Sequence, residues 1–138
     1  MGDASEAKFL EYVEGKCERF GLNRPEGIYV PHLPARLRAA PDYVQTSPPR
    51  MVECMGLGRG QYLQIKLEKW GVLRWWNDLM EVVIWVWDSH KKRFCLISLD
   101  ALDTLIQTPA LVEVDYFDGS KFVWRIPADA LFSASDRD

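Results

Sequence analysis

The sequence predicts a single-domain α/β fold, with a mixed central β-sheet flanked by helices and a C-terminal β-hairpin. Three observations carry this prediction. Val82-Val83-Ile84-Trp85-Val86-Trp87 is an apolar run without alternation, the pattern of a strand covered on both faces. Val112 to Phe117, an Asp118-Gly119 turn and Lys121 to Ile126 form a hairpin signature. Amphipathic stretches before and between the apolar segments supply helices to cover a sheet, and 138 residues suit one domain with a core of its own.

In chain order, residues 4 to 20 read as a helix with Phe9, Val13, Cys17 and Phe20 on one stripe and Gly21 as its stop. Asp3 and Glu6 match a capping box at its start. Ile28-Tyr29-Val30 reads as a short strand, and Pro31 to Ala40 as an irregular connection. Pro41-Asp42-Tyr43-Val44 begins an extended segment, and Ser47-Pro48-Pro49-Arg50 is a turn that lets Met51 to Gly56 return beside it. Gly56 to Gly60 is a flexible bend. Residues 61 to 79 read as a second helix with Leu63, Leu67 and Trp70 on its apolar side and Arg59, Lys66 and Lys69 near one another on its basic side. After the apolar strand, Asp88 to Lys92 is a solvated turn into a return strand at Phe94 to Ile97. A helix from about Ser98 to Gln107 follows, then the hairpin, then a last short helix from Pro127 to Phe132.

Two acids stand out. With a period of two, Met51, Glu53 and Met55 share one strand face while Val52 and Cys54 share the other. A glutamate between two methionines is a desolvated carboxylate, and such groups take a nearby cation, either a basic side chain or a metal. Asp42 lies on the neighbouring strand, so the two carboxylates can converge. Each also has a structural reading. Asp42 can cap the turn after Pro41, and Glu53 can pair with Arg36, Arg38 or Lys66. Lys66 and Lys69 can be a solvated helix face, and His32, between two prolines, reads more simply as a loop histidine than as a ligand.

Bulk properties narrow the classes. Three widely spaced cysteines argue against a disulfide framework, and the absence of a long apolar run or a secretion signal makes a cytoplasmic protein the expectation. The net charge of −3 is unevenly distributed, residues 20 to 79 carrying eight basic and five acidic side chains. That band points weakly to a polyanion. Adjacent Trp75 and Trp76 cannot both face inward from one helix, so one is expected to be exposed, next to Arg74, as a base-stacking surface or a dimer contact. No phosphate-binding loop, Cys-x-x-Cys, His-Glu-x-x-His or Gly-x-Ser-x-Gly motif is present.

The order helix, strand, strand with Pro-Asp, strand with Val-Glu-x-x-Gly, helix, apolar strand resembles the PD-(D/E)xK nuclease superfamily over about residues 4 to 97. The resemblance implies Mg²⁺-dependent cleavage of DNA, with Mn²⁺ able to substitute, by an endonuclease acting on branched or structured substrates. It makes Asp42 and Glu53 the metal ligands and catalytic acids, with the Cys54 carbonyl and Glu6 as further ligands. The family's lysine, two residues after the second acid, is replaced here by Met55. Some members supply it from the following helix, which makes Lys66 and Lys69 the candidates, with Lys66, facing the same way as Arg59, the expected catalytic cation and Lys69 the lesser one. Arg36, Arg38, Arg59 and Arg74 are the expected nucleic-acid contacts, and a homodimer is compatible with the exposed tryptophan. Met55 and the acidic net charge keep two rivals open: an inactive nucleic-acid-binding protein with this core, and a small protein-interaction or assembly protein.

Overall fold

The computed structural model describes residues 2–13, 16–21, 34–58, 60–108, 113–117 and 121–135. In chain order these form α1 (Gly2–Val13), β1 (Cys17–Arg19), α2 (Ala35–Arg38), β2 (Tyr43–Thr46), β3 (Pro49–Gly56), β4 (Tyr62–Lys66) and α3 (Leu67–Asn77). There follow β5 (Val82–Asp88), β6 (Arg93–Ser98), α4 (Leu99–Ile106), β7 (Glu113–Phe117), β8 (Lys121–Pro127) and α5 (Ala128–Ala134). The α/β prediction holds. One sheet has the order β1-β2-β3-β5-β6 and a second the order β4-β8-β7. All pairings are antiparallel except β3 with β5.

The five-stranded sheet is covered on both sides because its central strands alternate between two apolar clusters. From β5, Val82, Ile84 and Val86 enter one cluster with Leu73 of α3, Leu99, Leu102 and Leu105 of α4, and Leu131 and Phe132 of α5. Val83 and Trp85 enter the other with Phe9 and Val13 of α1, Tyr43, Val52 and Cys54. The second sheet joins the first cluster through Leu63, Ile65 and Ile126. Helix α4 is capped by Ser98, whose Oγ accepts from the Ala101 N–H at 3.1 Å. The β5–β6 turn is organised by the fully buried Asp88, which accepts from Arg93 Nε at 3.0 Å and from the N–H groups of His90 and Lys91. Burial pushes that carboxyl up, but these three donors outweigh it and hold the pKa below the usual value. His90 is exposed, as its charged turn suggests.

Several elements differ from the sequence reading, each for a physical reason. The first helix ends at Val13, and Cys17 to Arg19 leave it to pair with β2 in register Cys17↔Gln45, Glu18↔Val44, Arg19↔Tyr43. Phe20 is therefore exposed at 42% instead of lying on an apolar helix stripe. Helix α1 begins at Gly2, one residue before the expected N-cap Asp3. Residues 62 to 66 are a strand and only 67 to 77 a helix. Leu63 and Ile65 alternate with Gln64 and Lys66, a period of two, and β8 supplies their ladder partners. Part of the connection before β2 is helical, at Ala35–Arg38. The expected strand at 28 to 30, His32 and Arg59 lie outside the described residues, as does the Asp118-Gly119 turn; β7 and β8 on either side of it pair antiparallel. No helix among the described residues is long and apolar enough to cross a membrane.

Gly21 is held close to the segment that carries Asp42. The N–H groups of Phe20 and Gly21 both donate to the Asp42 carbonyl, at 2.9 and 3.1 Å, and a Cβ on Gly21 would lie 2.8 Å from the Pro41 carbonyl oxygen. Neither partner is a flexible side-chain end. Gly21→Ala is therefore expected to destabilise the fold by roughly 1–3 kcal/mol, the cost typical of forcing added atoms into a packed site, as read by urea unfolding.

Candidate metal centre

The antiparallel pairing of β2 and β3 in register Tyr43↔Val52 brings Asp42, just before β2, beside Glu53. Glu53 points to the α3 side of the sheet, between Met51 and Met55, and its parallel neighbour on β5 is Ile84. That setting is apolar, and the Glu53 side chain is 8% exposed. Its Oε2 meets Lys69 Nζ at 3.1 Å, while its Oε1 is buried with no hydrogen-bond partner.

Asp42 is oriented from two directions. Its Oδ2 accepts from the Cys54 N–H at 2.9 Å, and its Oδ1 faces Arg19 at 3.9 Å. Continuing the β2–β3 register places Pro41 opposite Cys54, and proline has no N–H for the ladder. The paired ladder ends at Tyr43, and beyond it the Asp42 carboxylate accepts the Cys54 N–H in place of a strand carbonyl. In an antiparallel ladder the N–H and C=O of one residue point to the same neighbour, so the Cys54 carbonyl is directed to the side where Asp42 sits.

Three cationic or acidic neighbours complete the group. Lys69, on the first turn of α3, also donates to the Ala39 carbonyl at 2.6 Å, which fixes the ammonium over the β2–β3 edge. Arg19 on β1 forms an ion pair with Glu6 of α1. Glu6 thus sits in the helix layer on the other face of the sheet, joined to Asp42 through that guanidinium. The cation that reaches Glu53 is Lys69 and not the expected Lys66, Arg36 or Arg38: Lys66 ends β4 and is exposed at the N-cap of α3, so the first turn of the helix carries Lys69 to the sheet instead. Among the described residues, no three His, Cys, Asp or Glu side chains form a metal-holding group.

Electrostatics follow from burial. Glu53 is raised to about 8, first by desolvation and further by the charge of Asp42, with Lys69 opposing both. Asp42 is also raised by burial, against the Cys54 N–H and the charge of Lys69. Burial likewise pushes the Cys54 thiol well up, helped by Asp42 and Glu53, so it is an inert thiol and any contribution to a metal comes from its carbonyl. Two carboxylates and a carbonyl oxygen are hard donors suited to Mg²⁺, which keeps several waters and needs few protein ligands. Glu53 Oε1 is buried without a donor, and the Glu53 carboxyl lies close enough to Asp42 to share a proton with it, so an ion bound there would take that proton's place between the two acids.

The expected nucleic-acid residues are spread over α2 and α3. The Arg36 guanidinium lies over the Trp75 ring, Arg38 faces Glu68 at 3.9 Å, and Arg74 faces Asp103 at 3.5 Å. Arg19 and its bridging role escaped sequence reasoning, because the residue was assigned to a helix that ends earlier. No family model, curated protein or solved structure matches this chain.

A pH dependence follows from Glu53. Its folded pKa lies above its unfolded value, so the folded state holds the extra proton between the two, and stability is full below about pH 4 and declines as pH rises toward 8. Urea unfolding across that range should show this decline in wild type. Glu53→Gln, which stays neutral, should flatten it.

Proposed function

We propose that this protein is a Mg²⁺-dependent nuclease of the PD-(D/E)xK kind, cleaving DNA phosphodiester bonds as an endonuclease on branched or structured substrates in the cytoplasm. The observation that supports this most directly is the contact of Lys69 with Glu53 beside Asp42. It supplies, from the following helix, the cation that Met55 does not provide. The carboxylates of Asp42 and Glu53 and the Cys54 carbonyl would hold the ion. An ion held by these groups would supply a coordinated water of lowered pKa and would offset negative charge on the phosphate. The Lys69 ammonium stabilises charge developing on the phosphate oxygens, and its bond to Ala39 removes the reorganisation such a long side chain would otherwise need. Arg19 and the Cys54 N–H orient Asp42. The free thiols of Cys17, Cys54 and Cys95 agree with a reducing compartment.

A second reading is favoured by the 3.1 Å contact of Lys69 with Glu53 in an apolar setting. In it, the two side chains are a buried structural pair that joins β3 to α3, ionised only as pH rises toward 8, with no catalytic part. Two experiments separate the readings. In the nuclease reading, Lys69→Ala lowers the single-turnover cleavage rate on supercoiled and four-way-junction DNA by about 10²–10³-fold, the range for losing one preorganised charge-stabilising donor. Lys66→Ala changes it little. Equal effects from both, or none from either, would withdraw Lys69 from the mechanism.

The other experiment measures Tm with and without Mg²⁺. An ion must displace the proton on Glu53, so its stabilisation should be larger near pH 9 than near pH 6 and absent in Glu53→Gln. If wild type shows no Mg²⁺ effect at either pH, and Glu53→Gln loses roughly 3 kcal/mol or more by stranding Lys69, the structural ion pair is the correct reading.

A further inference from the structure

We infer that the aromatic surface bordering this site binds the unpaired bases of a single-stranded nucleic acid, an inference that rests on the nuclease reading for what lies at its inner end. The surface is a chain of ring contacts. Phe20 meets Trp76 edge-on at 5.1 Å between centroids, Trp76 meets Trp75 at 5.1 Å, and the Arg36 guanidinium lies 4.5 Å from the centre of Trp75. The inner end adjoins the carboxylates, since the Phe20 N–H donates to the Asp42 carbonyl at 2.9 Å. The outer end is α2, fixed to α3 by Trp76 Nε1–H donating to the Arg36 carbonyl at 2.9 Å. Ala39, just beyond α2, accepts from Lys69.

Packing accounts for Trp76, which lies against the larger apolar cluster and bonds to α2, but not for the two rings on either side of it. Trp70 and Trp85 are 7% and 1% exposed, as core tryptophans are, whereas Trp75 is 37% and Phe20 42% exposed and neither belongs to an apolar cluster among the described residues. The nearby charges favour a polyanion. Arg38 and Arg74 face acids across exposed pairs at 3.9 and 3.5 Å, and such pairs contribute little and exchange readily for phosphate. Rings flanked by guanidinium groups stack on base faces of any sequence, and those faces are hidden in a duplex and available in a single strand. A second copy of this chain would use the same rings through apolar contact, without need of the arginines.

The test is fluorescence anisotropy in EDTA, using labelled oligothymidylate and oligouridylate of about 12 nucleotides and a blunt duplex of the same length. Both single strands, or one of them, should bind more tightly than the duplex. Trp75→Ala and Phe20→Ala should each weaken binding about ten-fold or more. Trp75→Phe should restore most of the affinity. Phe94→Ala, which removes an equally exposed ring at the far edge on β6, should leave it unchanged. Wild-type affinity in Trp75→Ala, or an equal loss in Phe94→Ala, would overturn the inference. So would a lack of oligonucleotide binding together with a dimer that Trp75→Ala dissociates in sedimentation equilibrium. Because the assay contains no metal, it is separate from hydrolysis. Trp75-dependent binding without any cleavage retains this inference and removes the nuclease reading, while Mg²⁺-dependent cleavage with binding and KM unaltered in Trp75→Ala does the reverse.

Discussion

The parallel pairing of β3 with β5 determines where the site can be. Antiparallel neighbours are joined by short turns, as β2 is to β3 and β5 to β6, but a parallel neighbour requires the chain to leave the sheet and return. Here the return passes through β4 and α3. The excursion lays α3 on the face that carries Met51, Glu53 and Met55, and it is this placement that brings Lys69 over Glu53. The same helix carries Trp75 and Trp76 past α2, so a single crossover sets both the polar cluster and the aromatic surface beside it.

Desolvation then gives the cluster its character. Glu53 sits beside Ile84 on the inner face of the sheet, where a lone carboxylate is costly, and one lysine only partly offsets that cost. A core position of this kind is better filled by an apolar side chain if stability alone is at stake. Asp88 offers a contrast within the same protein. Its side chain is also closed to solvent, but it lies in a turn near the surface where desolvation is smaller, and three donors satisfy its two oxygens, so its pKa is lowered instead of raised. One buried acid is a fully satisfied turn anchor; the other keeps an oxygen unpartnered.

Much of this was legible in the sequence where periodicity was strong and local. The unbroken apolar run at 82 to 87 became a strand that feeds two clusters, and the alternation around Glu53 correctly separated Met51 from Val52 and Cys54. The convergence of Asp42 and Glu53 followed from a proline, a turn and a period of two. What escaped depended on register between distant segments. The split of 61 to 79 into strand and helix turned on Leu63 and Ile65 finding partners on β8, about sixty residues on. Misplacing the start of α3 changed which lysine faced the sheet. Arg19 was hidden for the same reason, since its edge strand exists only because β2 has room for another partner.

Met55 is consistent with this geometry instead of being a defect in it. A lysine at that position would extend from the strand on the same face as Glu53, into space now occupied by an apolar side chain packed against the core beneath α3. Lys69 reaches the carboxylate from the helix layer, with its stem on α3 and its ammonium held between Glu53 and the Ala39 carbonyl. A cation carried on the strand would move with the carboxylates; one carried on the helix is positioned by the crossover and by the segment ending α2. The relative placement of Lys69 and Glu53 therefore depends on how α3 packs against α2 as well as on the sheet. Since Trp76 makes the bond that fixes α2 to α3, the aromatic surface and the polar cluster share a structural support.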